Sequence, residues 1–303
     1  ADNKAACWGR QGGNAMVRLE EVGDDYRLQQ AWLELRGGRT AAARQQGAGV
    51  DGVTLAGWEE DWQWRLATLR AELLGGAYRP SPLLWFDLPR RSRRPGPGPV
   101  CDGRPGRSSR RLGIPTVTDR VVQRAVKNLL EPIWEREFLS CSHGFRPERS
   151  VFTAVAHVLW HEAQGLDWVA DADIQACFDS LAHDRLLSQV APTVDDGVLG
   201  LIAAWLAAGA AAPGQGVAQG SVISPLLANV YLHPFDEAMV GAGLALVRYA
   251  DYWVVMCRNR DSAFQALDLA AGILAELELA LNREKTGVVP FGPQFRFLGA
   301  EFS

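Results

Sequence analysis

The strongest constraint is a pair of apolar runs, residues 244–248 and 253–257, separated only by Tyr249-Ala250-Asp251-Tyr252. Four residues are too few for a crossover, so the two runs must return on each other as a hairpin with Asp251 in its turn. Upstream, residues 168–174 read WVADADI, an apolar strand that ends on the acidic Asp173. If these strands are neighbours in one sheet, both carboxylates project at the same edge. Oxygen-only ligands at a strand end suit Mg²⁺, which is usually held by one or two carboxylates plus substrate phosphates. Composition alone equally allows turn or capping aspartates.

The remaining pattern frames that sheet. Helical spacing or composition predicts helices over 26–35, 56–74, 119–138, 150–162, 186–190, 198–208, 224–239 and 262–279. Strands are predicted over 82–88, 287–290 and 295–302. Trp58, Trp62, Leu66, Leu69 and Leu73 share one helical face and read as packing residues. From residue 168 the order is strand, helices, hairpin, helix, strand, which suits a split β-α-β sheet covered on one side by helices. The 303 residues suffice for two compact domains or one large one. The opening residues to about 23 are polar and glycine-rich.

Charge is unevenly spread. The net charge is −4, yet residues 79–150 hold fifteen Arg or Lys against seven Asp or Glu, a local +8, which leaves −12 elsewhere. Lys4, Lys127 and Lys285 are the only lysines. Arginine grips phosphate through a two-pronged fork that lysine lacks. Residues 90–111, RRSRRPGPGPVCDGRPGRSSRR, carry eight arginines and one aspartate among Pro and Gly breaks. That tract cannot pack a core, and reads as a solvated loop or as a mobile basic hairpin over phosphates.

No apolar run approaches the roughly 18 residues of a membrane span, and the opening ADNKAACWGR has neither a signal core nor an initiator Met. The sequence therefore reads as a processed or excised piece of a cytoplasmic protein with no membrane partner. The five cysteines (Cys7, Cys101, Cys141, Cys177, Cys257) form no CxxC pair, which argues against a disulfide framework or a zinc site.

Seven segments in order carry a resemblance: IPTVTDRVVQRAVKNLLEPIWEREF, SHGFRPERS, ADADIQACFDSLAHDRLL, QGSVISPLLANVYLHPFDEAM, RYADYWVVM, LNREKTGVV and FRFLGAEFS. The series resembles the motifs of group II intron reverse transcriptases, including CRISPR-associated ones, from about residue 49 onward. It implies an α/β (α+β) fold of right-hand polymerase fingers and palm: an extension over 1–48, fingers over 49–165, and a palm over 166–303 that includes fingers-side helices at about 185–215. It implies prokaryotic, RNA-directed DNA synthesis from a DNA or RNA primer on an RNA template, using dNTPs and Mg²⁺, with Mn²⁺ as the alternative ion.

Carried over by residue, Asp173, Asp251 and the Ile174 carbonyl hold metal, and Lys285 in NREKT protonates departing pyrophosphate. Phe178 excludes a 2′-hydroxyl, Gln219 and Gly220 lie against the nucleotide, and Arg110 or Arg111 grips the triphosphate. Arg104, Arg107, His143, Arg146, Arg149 and Tyr249 contact nucleic acid. A core role for Phe178 and a surface role for Lys285 are the plainer alternatives.

Two departures qualify the resemblance. The family's turn reads Tyr-Ala-Asp-Asp, whereas here Tyr252 takes the place of the last carboxylate, which is expected to lower catalysis without disrupting the fold. The sequence also stops where the family's palm ends, so a longer polypeptide or a partner, such as a CRISPR integrase, is expected to supply thumb-like contacts. The rival expectation is a catalytically impaired nucleic-acid-binding module in a mobile-element or CRISPR spacer-acquisition assembly.

Overall fold

The computed structural model describes residues 16–89 and 109–302. Its first half is α1 (Leu19–Val22), α2 (Asp25–Arg36), α3 (Ala41–Arg44), α4 (Leu55–Glu59), α5 (Trp62–Leu74), the antiparallel ribbon β1 (Leu84–Pro89) and β2 (Ser109–Ile114), α6 (Val117–Trp134) and α7 (Val151–Glu162). The helix expected over 56–74 is two helices. Its break falls at Glu60 and Asp61, and Asp61 pairs with Arg65 one turn into α5. Trp58 is buried with its ring 4.5 Å from that of Trp32, and Trp62 packs half-buried on the same core.

The segment expected as an N-terminal extension is part of that core from Val17 onward. Leu28, Ala31, Trp32 and Leu35 of α2 are buried. Val17 exchanges backbone hydrogen bonds with the far half of the chain, donating to Thr193 and accepting from Asp195, both at 2.9 Å. The tract hid this because its first helix, Leu19–Val22, is a single turn, too short to show a period. At the other boundary, β2 occupies the last residues of the tract expected as a loop over 90–111, pairing Leu84 with Ile114 through Pro89 with Ser109.

The second half begins with β3 (Trp168–Asp173), α8 (Cys177–Ser180), α9 (His183–Val190), a 3₁₀ turn (Ala191–Thr193), α10 (Asp196–Ala208) and α11 (Ser224–Gly241). There follow β4 (Ala245–Tyr249), β5 (Tyr252–Cys257), α12 (Arg260–Glu276), β6 (Gly287–Pro290) and the short hairpin of β7 (Arg296–Phe297) and β8 (Ala300–Glu301). Four strands form one antiparallel sheet in the order β4-β5-β3-β6.

Both faces of that sheet are covered, not one. Trp253, Val255 and Cys257 belong to the large core with α11 and α12, while Val254 and Met256 join Ala154 and Val158 of α7 and Phe295, Phe297 and Phe302 beyond β6. Two-sided burial is why β5 reads as an unbroken apolar run rather than an alternating one. No helix among the described residues is long and apolar enough to cross a membrane.

A histidine chain braces α7. His143 places one ring nitrogen 3.0 Å from Thr153 Oγ1 and the other 3.1 Å from His157 Nδ1, and His157 stacks on His161 at 4.7 Å. Burial, then the neighbouring His157, lowers His143 to about 3. A folded pKa below the unfolded value of about 6.5 contributes stability present above that value and lost as pH falls toward the folded pKa. Thermal melts of the wild type and His143→Gln across pH 7 to 5 should therefore diverge. The wild type should lose up to about 1 kcal/mol per pH unit more than the variant below about pH 6; parallel curves would show that His143 is not held neutral.

Candidate active site

The register of the sheet brings the two aspartates together. Asp173 ends β3 directly across from Tyr252, and the Ile174 N–H donates to the Asp251 carbonyl at 3.0 Å. Ala250, at φ 60°, makes the tight turn that seats Asp251 at this edge. The next strand crossing is anchored here too: the Asn282 N–H donates to the Asp173 carbonyl at 2.8 Å. That anchor lets Lys285 reach back, its Nζ 2.9 and 2.8 Å from the two Asp173 carboxylate oxygens.

The Cys177 thiol registers both charges. Burial pushes it up first, and the Asp251 and Asp173 carboxylates push it further, so the two acids act on one point. Among the described residues no group of three His, Cys, Asp or Glu gathers to hold a metal. Two carboxylates with oxygen donors only suit a Mg²⁺ that draws its other ligands from substrate phosphates and water. Lys285 already shows Asp173 drawing a cation. Asp173 and Asp251 thus offer the kind of oxygen donors that a divalent ion would need.

Beneath the turn lies an ion pair that sequence reasoning passed over. Arg248 is 0% exposed. Its guanidinium donates to both Asp236 oxygens at 2.6 and 2.5 Å, to Asn229 Oδ1 at 3.1 Å, to Ser142 Oγ at 2.8 Å and to the Ala250 carbonyl at 3.0 Å. Burial disfavours that charge, yet Asp236 outweighs burial and raises Arg248 above its ordinary value. Asn229 also donates to the Gly144 carbonyl at 2.8 Å. A methyl on Gly144 would overlap the Ala250 amide, so only glycine lets this strap lie under the turn. The sequence did carry a signal: a charged Arg248 closing the apolar run 244–247.

The walls follow from backbone links. The Val217 N–H donates to the Phe178 carbonyl at 2.7 Å, and the Gly113 N–H to the Gln219 carbonyl at 2.8 Å, joining α8, the 214–220 loop and β2 in series. Gly220, at φ 108°, approaches Gly113 too closely for any side chain. Arg111 lies 4.3 Å over the Trp85 ring, exposed at the ribbon. Half-buried Phe178 meets Phe145 edge-on at 6.4 Å, and Phe145 in turn meets Tyr249 at 6.5 Å. Phe145, absent from the sequence expectations, is exposed and held at φ 61°.

Two expected nucleic-acid contacts have other work. His143 is buried in the histidine chain. Arg146 is buried too, clamping Glu135 (2.5 Å) and the carbonyls of Leu139 (2.6 Å) and Ser142 (2.8 Å). Both side chains make their hydrogen bonds within the fold, where they shape residues 139–150, the strap that runs under the turn. Arg149 holds the Ser140 carbonyl at 3.1 Å and stays partly exposed. Arg104, Arg107 and the side chain of Arg110 lie outside the described residues.

Residues 103–302 match the family described as reverse transcriptase (RNA-dependent DNA polymerase). The chain belongs to the reverse transcriptase family. Protein YkfC of Escherichia coli is 31% identical over 83% of this chain and 74% of its own length. The group II intron-encoded protein LtrA of Lactococcus lactis is 33% identical over 63% of this chain but 31% of its own, so this chain spans under a third of that relative. A solved telomerase from Candida albicans, in complex with a fragment of telomeric RNA, is 12% identical, covers 82% of this chain and 48% of its own, and gives a TM-score of 0.51. That likeness is one of fold.

The ion pair under the turn generates a prediction. Asp236→Asn leaves a buried guanidinium uncompensated and should cost about 3–5 kcal/mol in urea unfolding. Arg248→Met combined with Asp236→Leu should recover most of that loss. A single-variant cost under about 1 kcal/mol would mean that water reaches the site.

Proposed function

We propose that this chain is an RNA-directed DNA polymerase core that extends a primer 3′-hydroxyl with dNTPs on an RNA template, the observation carrying it being Asp251's turn hydrogen-bonded beside Asp173. In this reading the four-stranded sheet is the palm, and the β1–β2 ribbon with α6 belongs to the fingers. Asp173, Asp251 and the Ile174 carbonyl hold Mg²⁺, or Mn²⁺, which when bound would activate the primer hydroxyl and neutralise the leaving phosphates. Lys285, seated on Asp173 and 54% exposed, is placed to give a proton to pyrophosphate as it departs. Phe178 stands against the sugar, Gln219 and Gly220 against the base pair, and Arg111 against the triphosphate. Thumb-like contacts come from further chain or from a partner protein, and the cytoplasm of a prokaryote is the proposed setting.

Primer extension on a primed RNA with dNTPs and Mg²⁺ tests the reading. The wild type should extend, and Asp173→Asn should lose at least about 100-fold, or roughly 3 kcal/mol of transition-state stabilisation. Extension that survives Asp173→Asn would overturn it. Tyr252 favours a second reading, because it removes a carboxylate from the turn: a binding module of impaired activity. Tight binding of primed RNA without extension would establish that one.

Phe178 gives a finer test. Phe178→Ala should raise ribonucleotide relative to deoxyribonucleotide incorporation by about tenfold, since the ring's overlap with a 2′-hydroxyl is what discriminates. An unchanged ratio reassigns Phe178 to packing.

A further inference from the structure

Tyr252 has a structural job that explains what a phenol does in a place the family gives to a carboxylate. It opens β5, next to Asp251 and directly across from Asp173. Directly opposed residues of an antiparallel pair share a face of the sheet, so a short acid at 252 would stand on Asp173's side, at the same edge. The tyrosine ring instead extends to the β7–β8 hairpin. It lies 5.0 Å from the Phe297 ring, and its hydroxyl donates to the Arg296 carbonyl at 3.0 Å.

That hairpin needs an external hold. It has two residues per strand and two cross-strand pairs, Arg296 with Glu301 and Phe297 with Ala300. Its turn uses left-handed backbone at Leu298 (φ 53°) and Gly299 (φ 90°). A ribbon so short has no stability of its own in water. Its position is set by the stack of Phe297 on Phe295 and of Phe295 on Phe302, and by Tyr252 at the end of that stack nearest the acidic turn.

We propose that Tyr252 is a positioning residue: a strut that locks the β7–β8 hairpin to the turn carrying Asp251, so that the two move as one unit. The proposal rests on reading Asp173 and Asp251 as the metal-holding pair only for its consequence, not for the strut itself. The strut also predicts that Tyr252→Asp, though it returns a negative charge, releases the hairpin.

Hydrogen exchange of the whole chain without metal, followed by Mn²⁺ binding read by electron paramagnetic resonance, tests this. Tyr252→Leu should speed exchange about tenfold at residues 295–302 and also at 249–251, leaving α10 unchanged, because the openings are local. Phe297→Leu should do the same from the opposite side. Both variants should weaken Mn²⁺ binding by about threefold or more, and Tyr252→Phe, which keeps the ring, should stay within about twofold of wild type.

If Tyr252→Leu fails to fold, Phe297→Leu and Tyr252→Phe carry the comparison. Unchanged exchange in the hairpin, or a Phe297→Leu effect that stops short of the turn, overturns the strut. Reciprocal exchange effects in a protein that never extends a primer would count against the polymerase reading and leave the strut standing.

Discussion

The guanidinium of Arg248 holds up the acidic turn. A charge with no exposed surface is tolerated only when its partners are complete, and here every partner is also a piece of architecture. Asp236 and Asn229 are one face of α11, Ser142 belongs to the strap, and the Ala250 carbonyl is the turn itself. Helix, strap and hairpin are therefore fixed relative to each other by one planar group. The backbone reinforces this, since Arg248 N–H donates to the Cys141 carbonyl and His143 N–H to that of Arg248. Lysine could not replace it, having no fork to reach four directions at once.

Much of the sheet was legible because its signals are local. The runs at 244–248 and 253–257 enclose a four-residue turn, and apolar strands at such spacing have few alternatives. Residues 287–290 were placed as the strand β6 occupies. The burial of His143 and Arg146 was illegible for the opposite reason. His143 and Arg146 sit in a polar, Pro- and Gly-bearing strap that reads as surface, yet α7, Glu135 and the edge of β4 close over them. Burial produced by elements distant in sequence leaves no periodicity to read. The same limit hid Phe145, whose left-handed backbone follows from Gly144 being pressed against the turn.

Electrostatics and packing divide the site's labour. Lys285 supplies a mobile, exposed charge that settles on Asp173, while Arg248 supplies a fixed, buried one below. The first can leave when a competing cation or a phosphate arrives, because its long stem ends in solvent. The second cannot leave without unfolding its surroundings.

The bond from Gly113 to Gln219 has a mechanical consequence. A six-residue ribbon is about 20 Å long, and this one is pinned near its base, where β2 meets the 214–220 loop. A pivot there works as a lever: a tilt of about 10° carries the far end of the ribbon, four residues away, by about 2 Å. Arg111 sits two residues from the pivot, halfway along that arm, so the same tilt shifts its backbone by about 1 Å. The guanidinium that lies on the Trp85 ring is thus carried on the slower half of the arm.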